Sequence, residues 1–144
     1  MRLREPFVFF VDRSLGGRVV AQALREAGEE VRVHDDLFSQ DTDDEVWLAD
    51  VGARGWAVLT KDVLIRRDSL QRQVLLAANV AAFMFARGDA SGGVMAAAFA
   101  TALPRMKRAL RRFDLPLIAS VTVGGDVTLV YDAAGRATPP KPVR

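Results

Sequence analysis

One short stretch decides the fold: Trp56-Ala57-Val58-Leu59-Thr60-Lys61-Asp62. Its apolar, β-branched and bulky residues predict a buried strand that ends abruptly in a carboxylate. A second apolar run, residues 7–11, has the same form and leads directly into Asp12. In open α/β sheets, ligands bind just outside the carboxyl ends of the strands. The sequence therefore predicts a functional edge at which Asp12 and Asp62 point into one crevice.

Strands and helices alternate along the rest of the chain. Thr42 and Glu45 have the spacing of a capping box, with Thr42 as the N-cap, and predict a helix over residues 43–54. Residues 80–85 predict a fourth, wholly apolar strand. A long Ala-rich helix follows, with Pro104 either kinking it or opening a second segment, and residues 117–123 and 127–131 predict a hairpin. This order predicts an α/β fold with a mostly parallel central sheet, helices on both faces and a C-terminal hairpin.

The length of 144 residues and the hydrophobic content of 50% suit a single domain. We expect that domain to span residues 1–132. Residues 133–144 contain Pro139, Pro140 and Pro142 and show no apolar face. They are therefore predicted to form a disordered, basic, Pro-rich tail.

Several classes of protein are disfavoured by the composition. The chain has no cysteine, which excludes disulfides and thiolate metal sites. Its first residues lack the apolar core of a signal peptide, and its longest apolar stretch is too short to cross a bilayer. We therefore expect a cytoplasmic protein with no membrane partner. His34, the single histidine, has no partner His or Cys, so a hydrogen-bonded imidazole at a strand end is expected rather than a zinc site.

The charges are unevenly distributed. The net charge is only +2, but acids crowd residues 35–50 while Lys and Arg gather in residues 61–72 and 105–112. This pattern predicts an acidic pocket beside a basic surface, which suits a polyanionic substrate handled through a cation. Mg²⁺ and Mn²⁺ prefer carboxylate oxygens, and clustered carboxylates repel one another without a cation. Asp12 and Asp62 are the candidate ligands.

Structural explanations compete with these assignments. Asp12 would also suit a strand-end turn, and Asp44 would also suit the first turn of a helix, where the helix dipole favours an acid. Trp47 and Trp56 are more typical of a core than of base-stacking platforms. The basic run 105–112 is typical of a solvated helix face.

Three motifs occur in order along the chain: Phe9-Phe10-Val11-Asp12-Arg13, then Thr42-Asp43-Asp44-Glu45-Val46-Trp47-Leu48, then Val58-Leu59-Thr60-Lys61-Asp62 with Ile65-Arg66-Arg67 after it. Together they resemble the PIN-like domains related to the VapC toxin ribonucleases. The resemblance covers residues 7–130. It implies a PIN-like three-layer sandwich, a Mg²⁺ or Mn²⁺ site and cleavage of RNA.

The resemblance also implies roles for individual residues of a toxin endoribonuclease. Asp12, Asp44 and Asp62 match the family's metal-holding, catalytic acids. Apart from the resemblance, the cations that flank the acidic pocket are the expected RNA contacts, and these are Arg13, Lys61, Arg66 and Arg67, with the basic face of residues 105–112 as a further candidate. The chain departs from the family where a further acid commonly follows, because Arg66 and Arg67 stand there instead. A fourth metal ligand is therefore not assigned, and an antitoxin protein and a second copy of the chain are left open as partners.

Two other functions fit parts of the sequence. One is a PIN-like domain that binds without catalysing. The other is a receiver domain, which has an acid after its first strand and a phosphoryl-accepting aspartate after its third. A receiver also needs adjacent acids after strand one and a lysine after strand five. Here Arg13 follows Asp12, and residues 117–121 contain no lysine.

Overall fold

A computed structural model describes residues 1–61, 69–87 and 89–144 of the chain. Its helices and strands follow in the order β1 (Val8–Val11), α1 (Val19–Glu26), β2 (Glu30–Val33), α2 (His34–Leu37), α3 (Asp44–Arg54), β3 (Ala57–Lys61), α4 (Ser69–Ala77), β4 (Ala81–Phe85), α5 (Gly92–Arg112), β5 (Leu117–Val121), β6 (Val127–Asp132) and β7 (Gly135–Val143). Seven strands form one sheet in the order β2-β1-β3-β4-β5-β6-β7. The first five are parallel, β6 runs antiparallel to β5, and β7 runs antiparallel to β6. The predicted α/β class, with a mostly parallel sheet and a C-terminal hairpin, is confirmed.

Helices cover both faces of the sheet and make it the middle of three layers. Helices α1 and α5 pack on one face, and α3 and α4 pack on the other. Alternate residues of each strand therefore enter different cores: Phe9 and Val11 meet the α1/α5 face, whereas Phe10 meets the α3/α4 face. Strands β4 and β5 are buried along their whole length, as parallel strands covered on both sides should be.

The order of the strands reverses at β1. The chain passes from β1 to β2 on one side and then crosses to β3 on the other side of β1. In doubly wound sheets such a reversal opens a crevice at the carboxyl ends of the two flanking strands. The residues at that crevice are those that end β1 and β3, which is where the sequence predicts the functional edge.

Helix α3 begins one residue later than predicted. Asp43, with an extended backbone, is the N-cap, and its side chain makes no capping hydrogen bond. Thr42 Oγ1 lies 3.2 Å from Ser39 Oγ. The predicted capping box is therefore wrong, because the hydroxyl of Thr42 lies with the preceding loop instead of over the first turn of the helix.

Helix α5 continues through Pro104 without a break. Ser91 caps its N-terminus by accepting a hydrogen bond from the N–H of Val94 at 3.3 Å. Leu103, Met106 and Leu110 are buried against the sheet, as their spacing predicts. In the parts of the chain that the structure describes, no helix is both long and apolar enough to cross a membrane.

Residues 133–144 do not form a disordered tail. Strand β7 pairs with β6 from Asp132↔Gly135 to Val127↔Val143, and its Ala137 and Val143 are buried. The prediction is wrong because β7 is the edge strand and sends few side chains into the core, so no apolar alternation appears in its sequence. Proline is tolerated on an edge strand, where a missing N–H need not break a ladder.

Candidate functional site

Asp12 lies at the reversal point of the sheet. It is the first residue after β1, and its N–H donates to the carbonyl oxygen of Leu59 in β3 at 3.0 Å. Its side chain follows Phe10 on the α3/α4 face by strand alternation. The residue is only 8% exposed, which is unusual for an acid that has no cationic partner among the described residues. Asp12 is therefore held at the carboxyl edge of β1 and is tied to β3.

Two hydroxyl groups fix one oxygen of this carboxylate. Ser14 Oγ and Thr60 Oγ1 each donate to Asp12 Oδ2 at 2.8 Å. The N–H of Lys61 donates to Ser14 Oγ at 3.2 Å and ties the turn after β1 to the end of β3. Each hydroxyl has a single hydrogen, which is directed to Asp12, although the two hydroxyl oxygens are 3.1 Å apart. The two hydroxyls therefore orient Oδ2, whereas Oδ1 accepts no hydrogen bond from any residue that the structure describes.

Ser14 and Thr60 were not among the predicted site residues. Each lies two positions from a strand-end aspartate, since Ser14 follows Asp12 and Thr60 precedes Asp62. A small hydroxyl residue two positions from each aspartate is the sequence feature that could have identified both residues. Forty-six residues separate the pair in the chain, so their convergence on one oxygen depends on the pairing of β1 with β3.

Asp44 reaches the same edge and face by a different route. Helix α3 returns the chain from the carboxyl end of β2 to the amino end of β3, so its first residue lies at the carboxyl edge. Asp44 Oδ1 accepts a hydrogen bond from the indole Nε1 of Trp47 at 2.9 Å. Trp47 in turn stacks on Phe10, with ring centroids 5.3 Å apart. Asp44 therefore has a structural partner through one oxygen.

The third predicted acid lies outside the described residues, and so do Arg66 and Arg67. Asp62 follows Lys61, the last residue of β3, directly in the sequence. Within residues 1–61, 69–87 and 89–144, no three His, Cys, Asp or Glu side chains form a group that could hold a metal ion. The structure thus brings Asp12 and Asp44 to one edge, and the ligand set proposed with Asp62 stays a prediction.

Arg13 and Lys61 are the predicted cations at this edge that the structure describes. Arg13 is exposed, and Lys61 is half-buried. A hydrogen bond from Ser39 is the main reason why the pKa of Asp41 lies below its ordinary value, and the Arg13 guanidinium lowers that pKa further. Arg13 is therefore close enough to Asp41, in the loop before α3, to interact with it electrostatically.

His34 is fully buried beneath the same edge. Its Nδ1 lies 3.1 Å from Asp35 Oδ1, which confirms the predicted hydrogen-bonded imidazole. Its ring contacts those of Phe10, Phe38 and Trp47 at centroid distances of 5.6–6.2 Å. Nε2 has no hydrogen-bond partner among the described residues. His34 belongs to the aromatic cluster that supports Trp47 and, through it, Asp44.

Comparison with known proteins is consistent with this architecture. Residues 7–87, which contain Asp12, Asp44 and the whole of β3, match the family model described as a PIN like domain. A Mycobacterium tuberculosis protein named "Putative ribonuclease VapC45" is 35% identical over 116 residues, which cover 78% of this chain and 83% of that relative. No solved structure matches the chain significantly. The chain belongs to the PIN-like domain family related to the VapC ribonucleases.

Proposed function

We propose that this protein is a metal-dependent endoribonuclease and the toxin component of a toxin–antitoxin pair. The observation that carries the proposal is Asp12: it is nearly buried at the reversal point of the sheet, with one oxygen fixed by two hydroxyls and the other unoccupied by described residues. A turn residue would not require this arrangement. The similarity to a relative named as a ribonuclease supports the choice of reaction.

The donor set suits a hard divalent cation. Asp12, Asp44 and Asp62 offer carboxylate oxygens, which Mg²⁺ and Mn²⁺ prefer over nitrogen and sulfur. In the proposal these three acids hold the ion, with Asp12 contributing the oxygen that its hydroxyl partners leave open. A bound ion of this kind polarises a phosphodiester and lowers the pKa of an attacking water.

The cations beside the acids bind the RNA backbone in this proposal. Arg13 and Lys61 lie at the described part of the edge, and Arg66 and Arg67 follow Asp62 in the sequence. Their charge would hold the phosphates while the acids act on the scissile bond, so the two groups should affect different kinetic constants. We further propose that the protein acts on cytoplasmic RNA and is restrained by an antitoxin protein. A second copy of the chain stays open as a partner.

Cleavage of a mixed RNA pool tests the proposal. Wild-type protein is assayed with Mg²⁺, with Mn²⁺ and with EDTA, beside Asp12→Asn, Asp44→Asn and Asp62→Asn. Each Asn variant should lose more than about 100-fold in turnover, which exceeds the loss typical of a group that only supports a metal ligand. Glu45→Gln is the matched control, because it removes an exposed acid beside Asp44 that has no assigned role.

Two outcomes would contradict the proposal. Cleavage that survives both EDTA and Asp12→Asn would point to a contaminating nuclease. A well-folded, Mn²⁺-loaded protein that binds RNA but cuts none of the pool would instead favour a non-catalytic PIN-like binding module. The indole partner of Asp44 favours that second candidate, since it occupies an oxygen that a ligand would otherwise use. A receiver function has lost its support, because the matched family is PIN-like.

A further inference from the structure

A row of side chains runs across the sheet from the candidate site. Thr60 pairs with Met84, Met84 pairs with Ser120, and Ser120 pairs with Thr128 along successive strands. Cross-strand partners lie on the same side of a sheet, so the row stays on the α3/α4 face. Asp12 begins the row, since its Oδ2 accepts the hydrogen bond from Thr60. Thr60, Met84 and Ser120 are buried, so the row measures how far the outer half of the sheet lies from Asp12 and is not itself a surface path.

The α3/α4 face becomes an open groove beyond β4. The groove has a volume of about 610 Å³ and lies on strands β4 to β7, beside Arg72 of α4. Its lining includes Ser120 and Thr128 from the row, the half-buried Tyr131, and Arg136. No acid is among the lining residues that the structure describes. An open groove that combines arginine, hydroxyl groups and an aromatic ring has the composition that binds single-stranded nucleic acid.

We propose that this groove binds the single-stranded RNA on which the candidate site acts, an inference that rests on the proposed ribonuclease function. Three strand spacings separate Thr60 from Thr128, or roughly 14 Å, so RNA in the groove would be held at nucleotides beyond the scissile bond.

Arg136 supplies a phosphate contact in the groove. It is exposed and forms no ion pair with any residue in the described parts of the chain. Tyr131, its cross-strand partner, supplies a ring on which a base can stack.

Strand β7 also provides a matched control. Arg136 pairs with Tyr131, which packs with the α3/α4 core, whereas Lys141 pairs with Leu129, which is buried in the α1/α5 core. Arg136 and Lys141 are therefore exposed cations on the same strand but on opposite faces of the sheet. Charge reversal at either residue changes the net charge of the protein equally. Of these two residues, Arg136 lines the groove and Lys141 does not.

Binding is measured in an Asp12→Asn background, so that RNA is retained rather than cut. Fluorescence anisotropy with a labelled, unstructured single-stranded RNA at several salt concentrations gives the affinity and its salt slope. Arg136→Glu should weaken binding about tenfold and reduce the slope by about one unit, the effect of one lost phosphate contact. Lys141→Glu should change the affinity for RNA by no more than about twofold. Thermal midpoints verify folding, and Arg136→Gln replaces Arg136→Glu if charge reversal unfolds the protein.

The outcomes separate this inference from the proposed function. If Arg136→Glu and Lys141→Glu weaken RNA binding equally, the proposal that the groove binds RNA is wrong, because the effect is then a general electrostatic attraction. RNA cleavage by the wild-type protein would still support the nuclease function in that case. A selective loss with Arg136→Glu in a protein that cuts no RNA would support the groove and contradict the nuclease. If none of the variants binds RNA, the proposal that the groove binds RNA is also wrong.

Discussion

Asp12 illustrates how a single residue obtains its chemistry from its neighbours. A nearly buried carboxylate needs hydrogen bonds, and hydrogen bonds to an ionised oxygen are stronger than those between neutral groups. Ser14 and Thr60 supply two of them to Oδ2 alone. They orient the carboxylate through this oxygen, and no described residue donates to the other one. The two hydroxyls should therefore matter for both stability and catalysis.

Thr60→Val tests that role, because valine keeps the shape of threonine and removes the hydroxyl. We expect the free energy of unfolding to fall by about 1–3 kcal/mol, since Asp12 stays buried with one donor fewer. We expect turnover to fall by about 10–100-fold, as for groups that support a metal ligand, with a smaller change in KM. Chemical denaturation and RNA cleavage give both values. Thr101→Val, on an exposed part of α5, is the control; a Thr60→Val protein that behaves like it would exclude an orienting role.

At the scale of elements, the position of α3 decides where Asp44 lies. The aromatic stack of Trp47 on Phe10 fixes the first half of the helix. Gly52 fixes the second half, because a Cβ at this position would overlap the carbonyl oxygen of Ala78 and approach Val80 Cγ1 to 3.1 Å. Glycine is therefore required here for the close approach of the helix to the segment between α4 and β4. The backbone of Gly52 does not have a positive φ, so the space for a Cβ, and not backbone freedom, requires glycine here.

Gly52→Ala should consequently destabilise the protein, against the usual preference of helices for alanine. In an unobstructed helix the change would stabilise by up to about 1 kcal/mol, whereas forcing a methyl group against backbone costs about 1–3 kcal/mol. Gly93→Ala in α5 is the matched control, since the nearest atom that its Cβ would meet is Ser91 Oγ at 4.0 Å. Thermal and chemical denaturation of both variants are compared. A Gly52→Ala variant as stable as wild type would mean that α3 does not pack this closely.

At the scale of the whole molecule, β7 forms the edge of the sheet and makes that edge unsuited to pairing with another chain. Without it, β6 would become the edge, with a row of unpaired backbone groups available to another chain. Pro139, Pro140 and Pro142 lack backbone N–H groups, which makes β7 a poor template for further pairing. The strand therefore protects the sheet while forming one side of the proposed RNA groove.

Deletion of residues 135–144 should lower stability and promote self-association. Burial of Val143 alone is worth about 1.5–3 kcal/mol, and the deletion also exposes the edge of β6. Thermal unfolding and light scattering measure the two effects. Deletion of Arg144 alone, an exposed residue, is the control. If the shortened protein unfolds at the same temperature and stays dispersed, the terminal segment is peripheral, as its composition alone indicates.

The sequence by itself determined the alternation of strands and helices, the mostly parallel sheet, and Asp12 as an acid at the carboxyl edge of that sheet. These features follow from apolar runs and their spacing, which are local properties of the chain. The tertiary structure alone revealed that Ser14 and Thr60 hold Asp12, that Trp47 binds Asp44, and that the Pro-rich end is a strand. Contacts between distant segments appear in no local pattern, and an edge strand buries too few side chains to show one. Those features exist only because strand pairing brings remote residues within hydrogen-bond distance.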